Sequence, residues 1–187
     1  MPRVFFALWP DAGWCEALLD AAQPLLAGAA GSPLAQFDLH VTLCFLGVLE
    51  EPMVERLRER VVSIESAAFE LLFDTFEYWP RARILAATCS SAPAAANELA
   101  STLRSMALEL GLQPDLKPWR AHITLLRAAS VQAASLLAER VPALRLTLPA
   151  RGFYLAQSHE LGADSAETAQ RRRYTVLGCW PLRASQP

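Results

Sequence analysis

Two segments of this chain repeat one pattern: Leu39-His40-Val41-Thr42-Leu43 and Ala121-His122-Ile123-Thr124-Leu125. Each sets a histidine two residues before a threonine inside an apolar run. In an extended strand side chains alternate faces, so His40 and Thr42 share one face while Val41 and Leu43 share the other. The same holds for His122 and Thr124, with Ile123 and Leu125 behind. Two such strands facing each other would offer two imidazoles and two hydroxyls to one cleft. Threonine fills 8 of the 187 positions and histidine three. Chance therefore places Thr two residues after two of the three histidines only about once in two hundred such chains. A lone strand histidine reads as a core residue; the matched pair reads as chemistry. The third histidine, His159, is followed by Glu160 and Leu161 and reads as a loop residue.

The rest of the chain builds a frame for two such strands. Val4 to Trp9 reads as a buried strand closed by Pro10. Asp11 suits the cap of a helix running to about Ala27, with Pro24 marking a kink or an earlier end. Leu39 to Leu46 is the first histidine strand. Glu51-Pro52 opens a helix to about Ile64, with Val54, Leu57, Val61 and Ile64 on one face. Strands follow at Phe69–Tyr78 and Ile84–Thr88. A helix beginning near Pro93 runs to Leu110 and stops at Gly111. The second histidine strand covers Ala121 to Arg127, and a short helix covers about Val131 to Arg140. Strands at Leu144–Leu148, Phe153–Gln157 and Tyr174–Trp180 close the chain. The order repeats as two halves, each with one histidine strand and no low-complexity linker between them. It predicts an α+β class: residues 1–187 as a single bilobal, duplicated domain, with two antiparallel sheets facing a central cleft and helices outside.

Composition narrows the function. A 53% apolar fraction is enough for a well-filled core. A net charge of −2 argues against a broad nucleic-acid groove, but not against a pocket that grips one phosphate. Cys15, Cys44, Cys89 and Cys179 lack metal or redox spacing and read as free, mostly buried thiols of a reducing compartment, so the expected location is the cytoplasm. The first residues form too short an apolar run for a signal peptide, and no stretch is long enough to span a membrane. No phosphate-cradling glycine loop, nucleophile elbow or metal-ligand spacing occurs. The expectation is an enzyme with no cofactor and no metal, acting as a monomer.

Imidazole, with an ordinary pKa near 6.5, can be neutral in one ring and protonated in another at working pH. One ring can take a proton from water while the other gives one to a leaving oxygen. The threonine hydroxyls can hold non-bridging phosphate oxygens. Arg127 lies five residues past His122; strand parity turns it away from His122, but at the strand end a guanidinium can still grip phosphate. The run Arg171-Arg172-Arg173 reads as a solvated loop, with a hold on an anionic substrate as the alternative. Spacing alone does not tell the acid from the base.

The paired H-x-T-x motifs resemble the 2H phosphoesterase superfamily, and within it the RNA 2′,3′-cyclic phosphodiesterases first described as 2′-5′ RNA ligases. The likeness extends to the opening Arg3-Val4-Phe5-Phe6-Ala7-Leu8, to Cys44-Phe45-Leu46-Gly47 after the first motif, to Leu126-Arg127 after the second, and to Tyr174-Thr175-Val176-Leu177 and Trp180-Pro181-Leu182 at the end. Ala121 stands where that family favours proline. The resemblance implies hydrolysis of a 2′,3′-cyclic phosphate at an RNA 3′ end to a 2′-phosphomonoester. It implies that His40 donates a proton to the departing 3′ oxygen and His122 accepts one from water. Thr42, Thr124 and Arg127 would hold the phosphate, and reverse 2′-5′ ligation would be weak. Two further readings stay open: a relative acting on a small cyclic nucleotide, and a non-catalytic binder of RNA ends.

Overall fold

Alternating apolar residues decide which face of each strand is buried, and the sheets follow from that choice. The computed structural model describes residues 3–139, 143–159 and 173–184. The strands are β1 (Arg3–Leu8), β2 (Ser32–Pro33), β3 (Val41–Val48), β4 (Phe69–Phe73), β5 (Thr75–Trp79), β6 (Ile84–Thr88), β7 (His122–Arg127), β8 (Leu146–Ala150), β9 (Gly152–Ser158) and β10 (Tyr174–Pro181). Between them lie α1 (Ala12–Gly28), α2 (Glu51–Val61), α3 (Ala94–Glu109) and α4 (Gln132–Glu139), with a 3₁₀ turn at Gln36–Asp38. The α+β class and the antiparallel sheets agree with the sequence reading.

The larger sheet runs β10-β9-β1-β3-β7-β6-β5, with β2 also pairing β7; β4 and β8 form a second, two-stranded sheet. Every pairing between these strands is antiparallel. The two histidine strands are neighbours in the larger sheet. They are joined by one residue pair, Val41 opposite Ile123. On either side of that pair the strands diverge, and other groups take up the freed backbone. The Trp119 indole N–H donates to the Thr42 carbonyl at 2.8 Å, and Leu34 N–H donates to the Leu125 carbonyl at 2.9 Å beside the β2–β7 pair. Buried backbone groups need such partners, so Trp119 and β2 act as wedges that hold the seam open.

Behind the sheet, Val41, Leu43, Ile123 and Leu125 are buried in one core with the helix stripes. The stripe of α3 is Ala96, Leu99, Ala100, Leu103, Met106 and Ala107, the 3–4 spacing of one helix face. The Asp11 carboxylate accepts from Trp14 N–H at 2.8 Å and caps α1 as expected. Pro24 does not end that helix. The carbonyl it leaves without a donor belongs to exposed Asp20, where water can serve.

The stretch expected as one strand, Phe69–Tyr78, is two. β4 pairs with β8 while β5 pairs with β6, so the chain changes sheets at Asp74. The Asp74 carboxylate accepts from Ser90 N–H at 3.0 Å and from its hydroxyl, which fixes the corner. The buried phase shifts at this corner, from Phe69, Leu71 and Phe73 to Phe76, but a continuous apolar-rich run does not announce it. Cys15, Cys44 and Cys89 are buried free thiols and Cys179 is an exposed one. Burial pushes Cys15 and Cys44 up to about 11, which keeps both protonated and unreactive at neutral pH. Among the described residues no helix is long and apolar enough to cross a membrane.

Leu103 is fully buried between α3 and the sheet that carries His40. Leu103→Ala should lower unfolding free energy by about 2–5 kcal/mol through lost burial and the cavity left behind, as read by urea denaturation.

Candidate active site

The Val41–Ile123 register places the histidine strands about a local pseudo-two-fold. Counting outward from that pair sets His40 alongside Thr124 and Thr42 alongside His122. Each imidazole is oriented in the same way. His40 Nδ1 lies 2.8 Å from the Asp38 carbonyl, and His122 Nδ1 lies 2.8 Å from the Arg120 carbonyl. A carbonyl only accepts, so in both neutral rings Nδ1 carries the hydrogen and Nε2 is the free acceptor. Neither threonine hydroxyl is engaged by another group among the described residues.

Aromatic neighbours fix both rings. Trp9 stacks on His40 with centroids 5.0 Å apart, Tyr174 meets it edge-on at 4.7 Å, and Phe5 packs at 5.0 Å. Trp79 packs against His122 at 4.7 Å. Glu77 braces Trp79 by accepting from its indole N–H at 2.7 Å and also accepts from Arg120 at 2.8 Å. The Arg120 guanidinium lies 5.2 Å from the centre of the Trp79 ring. Burial alone would raise the Glu77 carboxyl, but the Trp79, Arg120 and Thr88 contacts outweigh it and hold the group below the usual carboxylate range.

Both histidines are held neutral. Burial lowers His40 to about 4, with the Asp38 carbonyl opposing and the charges of Arg127 and His122 adding to the fall. Burial also lowers His122; the Arg120 carbonyl and Glu77 oppose, and the Arg120 charge adds. His40 therefore senses both His122 and Arg127 across the seam.

Two cavities open on this face and meet at Thr42 and Phe45. One, about 350 Å³, is lined by His40 and Arg127; the other, about 520 Å³, by His122 and Trp79. Thr124, on the His122 face of β7, lines neither. Arg127 does reach the cleft, although strict alternation turns it away. Between the pairs Leu85–Leu126 and Ala86–Thr124 the register slips by one residue, so Leu125 is a bulge. Leu125 and Leu126 are then both buried, and Arg127 emerges on the histidine side. β3 does the same at Leu43, between the pairs Phe6–Cys44 and Ala7–Thr42, and Phe45 emerges there. Phe45 thus occupies in one half the place of Arg127 in the other.

Several groups here are invisible to motif reading. Tyr174 is buried against His40, and its hydroxyl accepts from Arg127 at 3.0 Å. His159, read as a loop residue, follows β9 directly and lines the smaller cavity, with Nε2 2.7 Å from the Thr175 hydroxyl. Arg173 lines it too; Arg171 and Arg172 lie outside the described residues. For Tyr174 and His159 the signal is only a polar or aromatic residue beside a strand destined to neighbour β3, an adjacency not written locally, whereas Arg173 belongs to the arginine run whose alternative reading is a hold on an anion.

Comparison with known proteins identifies the arrangement. Residues 9–86, which include the first histidine motif, match the LigT-like phosphoesterase family. The chain is 31% identical over 183 residues to the RNA 2′,3′-cyclic phosphodiesterase of Escherichia coli strain K12, covering 96% of each. A crystal structure of E. coli LigT complexed with 3′-AMP superposes with a TM-score of 0.80 at 29% identity, covering 97% of this chain and 99% of that one. A second solved structure, described as a phosphoesterase, gives 0.81 at 28% identity, covering 97% and 98%. The chain belongs to the LigT-like phosphoesterase family.

A histidine whose folded pKa lies below its unfolded value leaves the unfolded chain binding more protons between the two. For His40 that window runs from 6.5 down to about 4, and stability should fall as pH drops through it. In an NMR titration His40 should show a midpoint near 4, His122 one below 6.5, and added phosphate should raise both.

Proposed function

We propose that this chain hydrolyses an RNA 2′,3′-cyclic phosphate to a 2′-phosphomonoester, with residues 1–187 working as one bilobal unit. One observation carries the reading: two imidazoles on adjacent strands, in the same tautomer, each with Nε2 unclaimed and each lining one of two cavities that meet at Thr42 and Phe45. The name of the E. coli relative supports the substrate.

In this mechanism His122 Nε2 takes a proton from water as the water oxygen attacks phosphorus. The bond from phosphorus to the ribose 3′ oxygen breaks, and that oxygen takes a proton from His40 Nε2. The bond to the 2′ oxygen remains. The lowered pKa of His122 suits a base that is neutral at working pH. His40 must collect its proton together with the anion, whose charge beside the ring favours the imidazolium. Thr42, Thr124 and Arg127 hold the non-bridging oxygens, and Tyr174, accepting from Arg127, keeps its own O–H free to donate. No step calls for a metal. Both histidines come from one chain, so a monomer suffices, and three buried free thiols suit the reducing cytoplasm. Reverse 2′-5′ ligation follows from microscopic reversibility, and bulk water keeps it weak.

An oligonucleotide ending in a 2′,3′-cyclic phosphate should be opened to the 2′-phosphate at the same rate with and without EDTA. His40→Ala and His122→Ala should each lower kcat by about 10²–10⁴-fold or more with the fold retained by circular dichroism. Full activity in either variant rules out the two-histidine mechanism. Preference for a small cyclic nucleotide by orders of magnitude replaces the RNA assignment, and tight binding of a 2′-phosphate end without turnover at any pH between 5 and 9 replaces the enzyme reading.

A further inference from the structure

The smaller cavity holds more positive charge than the reacting phosphate needs. A cyclic phosphodiester carries one negative charge. Arg3, Arg127 and Arg173 all line this cavity and no acidic side chain does, in a chain whose net charge is −2. None of the three guanidinium groups forms an ion pair among the described residues. The nearby buried Asp38 carboxylate, which accepts from the Arg173 backbone N–H, offsets part of this charge, and three guanidinium groups around one cavity still favour an anion of more than one charge.

Strand register sets where the surplus lies. Arg3 shares a strand face with Phe5, which packs on the His40 ring, and lies one side-chain repeat beyond it, about 7 Å along β1. Arg3 pairs Ser158 and Ser158 pairs Tyr174, so the three form a row across β1, β9 and β10. Arg173 precedes Tyr174, and its backbone N–H donates to the buried Asp38 carboxylate at 3.1 Å. The carbonyl of that same Asp38 accepts from His40. One residue therefore ties the position of Arg173 to the catalytic ring. Arg127, bonded to Tyr174, stays at the reacting phosphate, while Arg3 and Arg173 stand one step outward with Ser158 and His159 between strands.

We infer that Arg3 and Arg173 form a second anion subsite, which takes the phosphate on the 5′ oxygen of the same nucleotide whose 2′,3′-cyclic phosphate lies between His40 and His122. This rests on the proposed reaction and deepens it, because a bare nucleoside cyclic phosphate lacks that group. A 5′-phosphorylated mononucleotide and the last nucleotide of an RNA chain both carry it. The subsite makes the enzyme read the end of a strand through its backbone phosphate.

The test is calorimetric binding of a nucleoside 2′-phosphate against the nucleoside 2′,5′-bisphosphate, with a dinucleotide ending in a 2′-phosphate as a third ligand. The wild-type protein should favour the bisphosphate about 10–100-fold, the range of one or two charge-assisted hydrogen bonds. Arg3→Gln and Arg173→Gln should each bring that ratio toward 1, and Arg3→Lys should leave it intermediate. The lysine variant keeps the test sharp should a glutamine variant misfold. The dinucleotide matching the bisphosphate assigns the site to a chain; the bisphosphate alone being favoured assigns it to a terminal 5′-phosphate. A wild-type ratio near 1, or one that survives both glutamine substitutions, overturns the subsite. Turnover of the unphosphorylated and 5′-phosphorylated cyclic nucleotides, measured in parallel, separates the two claims: an intact binding ratio without hydrolysis of either overturns the reaction and leaves the subsite standing.

Discussion

The site depends on a single backbone contact. Val41 and Ile123 bring the two halves together at one residue pair, and the strands part immediately on both sides. A longer ladder would flatten the sheet and close the groove. No ladder at all would leave the imidazoles on unrelated surfaces. The structure supports the intermediate case with groups that replace missing ladder bonds: the Trp119 indole on the Thr42 carbonyl and the β2 segment along β7. Both apolar side chains of the pair are fully buried, so core packing rather than hydrogen bonding holds the seam.

Around that seam the two halves use one local design with different supports. Each histidine donates from Nδ1 to the carbonyl two residues before it and rests against a tryptophan. The surroundings then diverge. His40 sits among Phe5, Trp9 and Tyr174, a low-dielectric setting that strongly disfavours its charge. His122 has the Glu77–Arg120 pair nearby, and their opposing charges act on it together. Equal motifs thus become unequal acids through what neighbouring strands bring to them.

The histidine–threonine pairs and their apolar backs were legible because a strand's two-residue period is local, and so were Asp11 as a cap and the α2 stripe of Val54, Leu57 and Val61. Arg127 was legible as a phosphate holder from its strand-end position and the family resemblance, but how it reaches the cleft was not: the bulge at Leu125 arises from pairing with β6, which no window around Arg127 contains. Tyr174 reaches His40, and Arg3 the cavity beside it, only because β10, β9 and β1 line up in that order beside β3. The break at Asp74 was hidden for a related reason, since its carboxylate is fixed by Ser90 from another segment. What the sequence concealed was, in each case, a contact between distant segments.

Matching bulges in β3 and β7 carry Phe45 and Arg127 to equivalent places. A cleft with true two-fold symmetry would present identical ends and could seat a phosphoester in either of two senses, leaving attacking and departing oxygens interchangeable. A phenyl ring at one end and a guanidinium at the other remove that degeneracy. The paired motifs supply two imidazoles, and Phe45 opposite Arg127 is one of the differences that make the two ends of the cleft unlike.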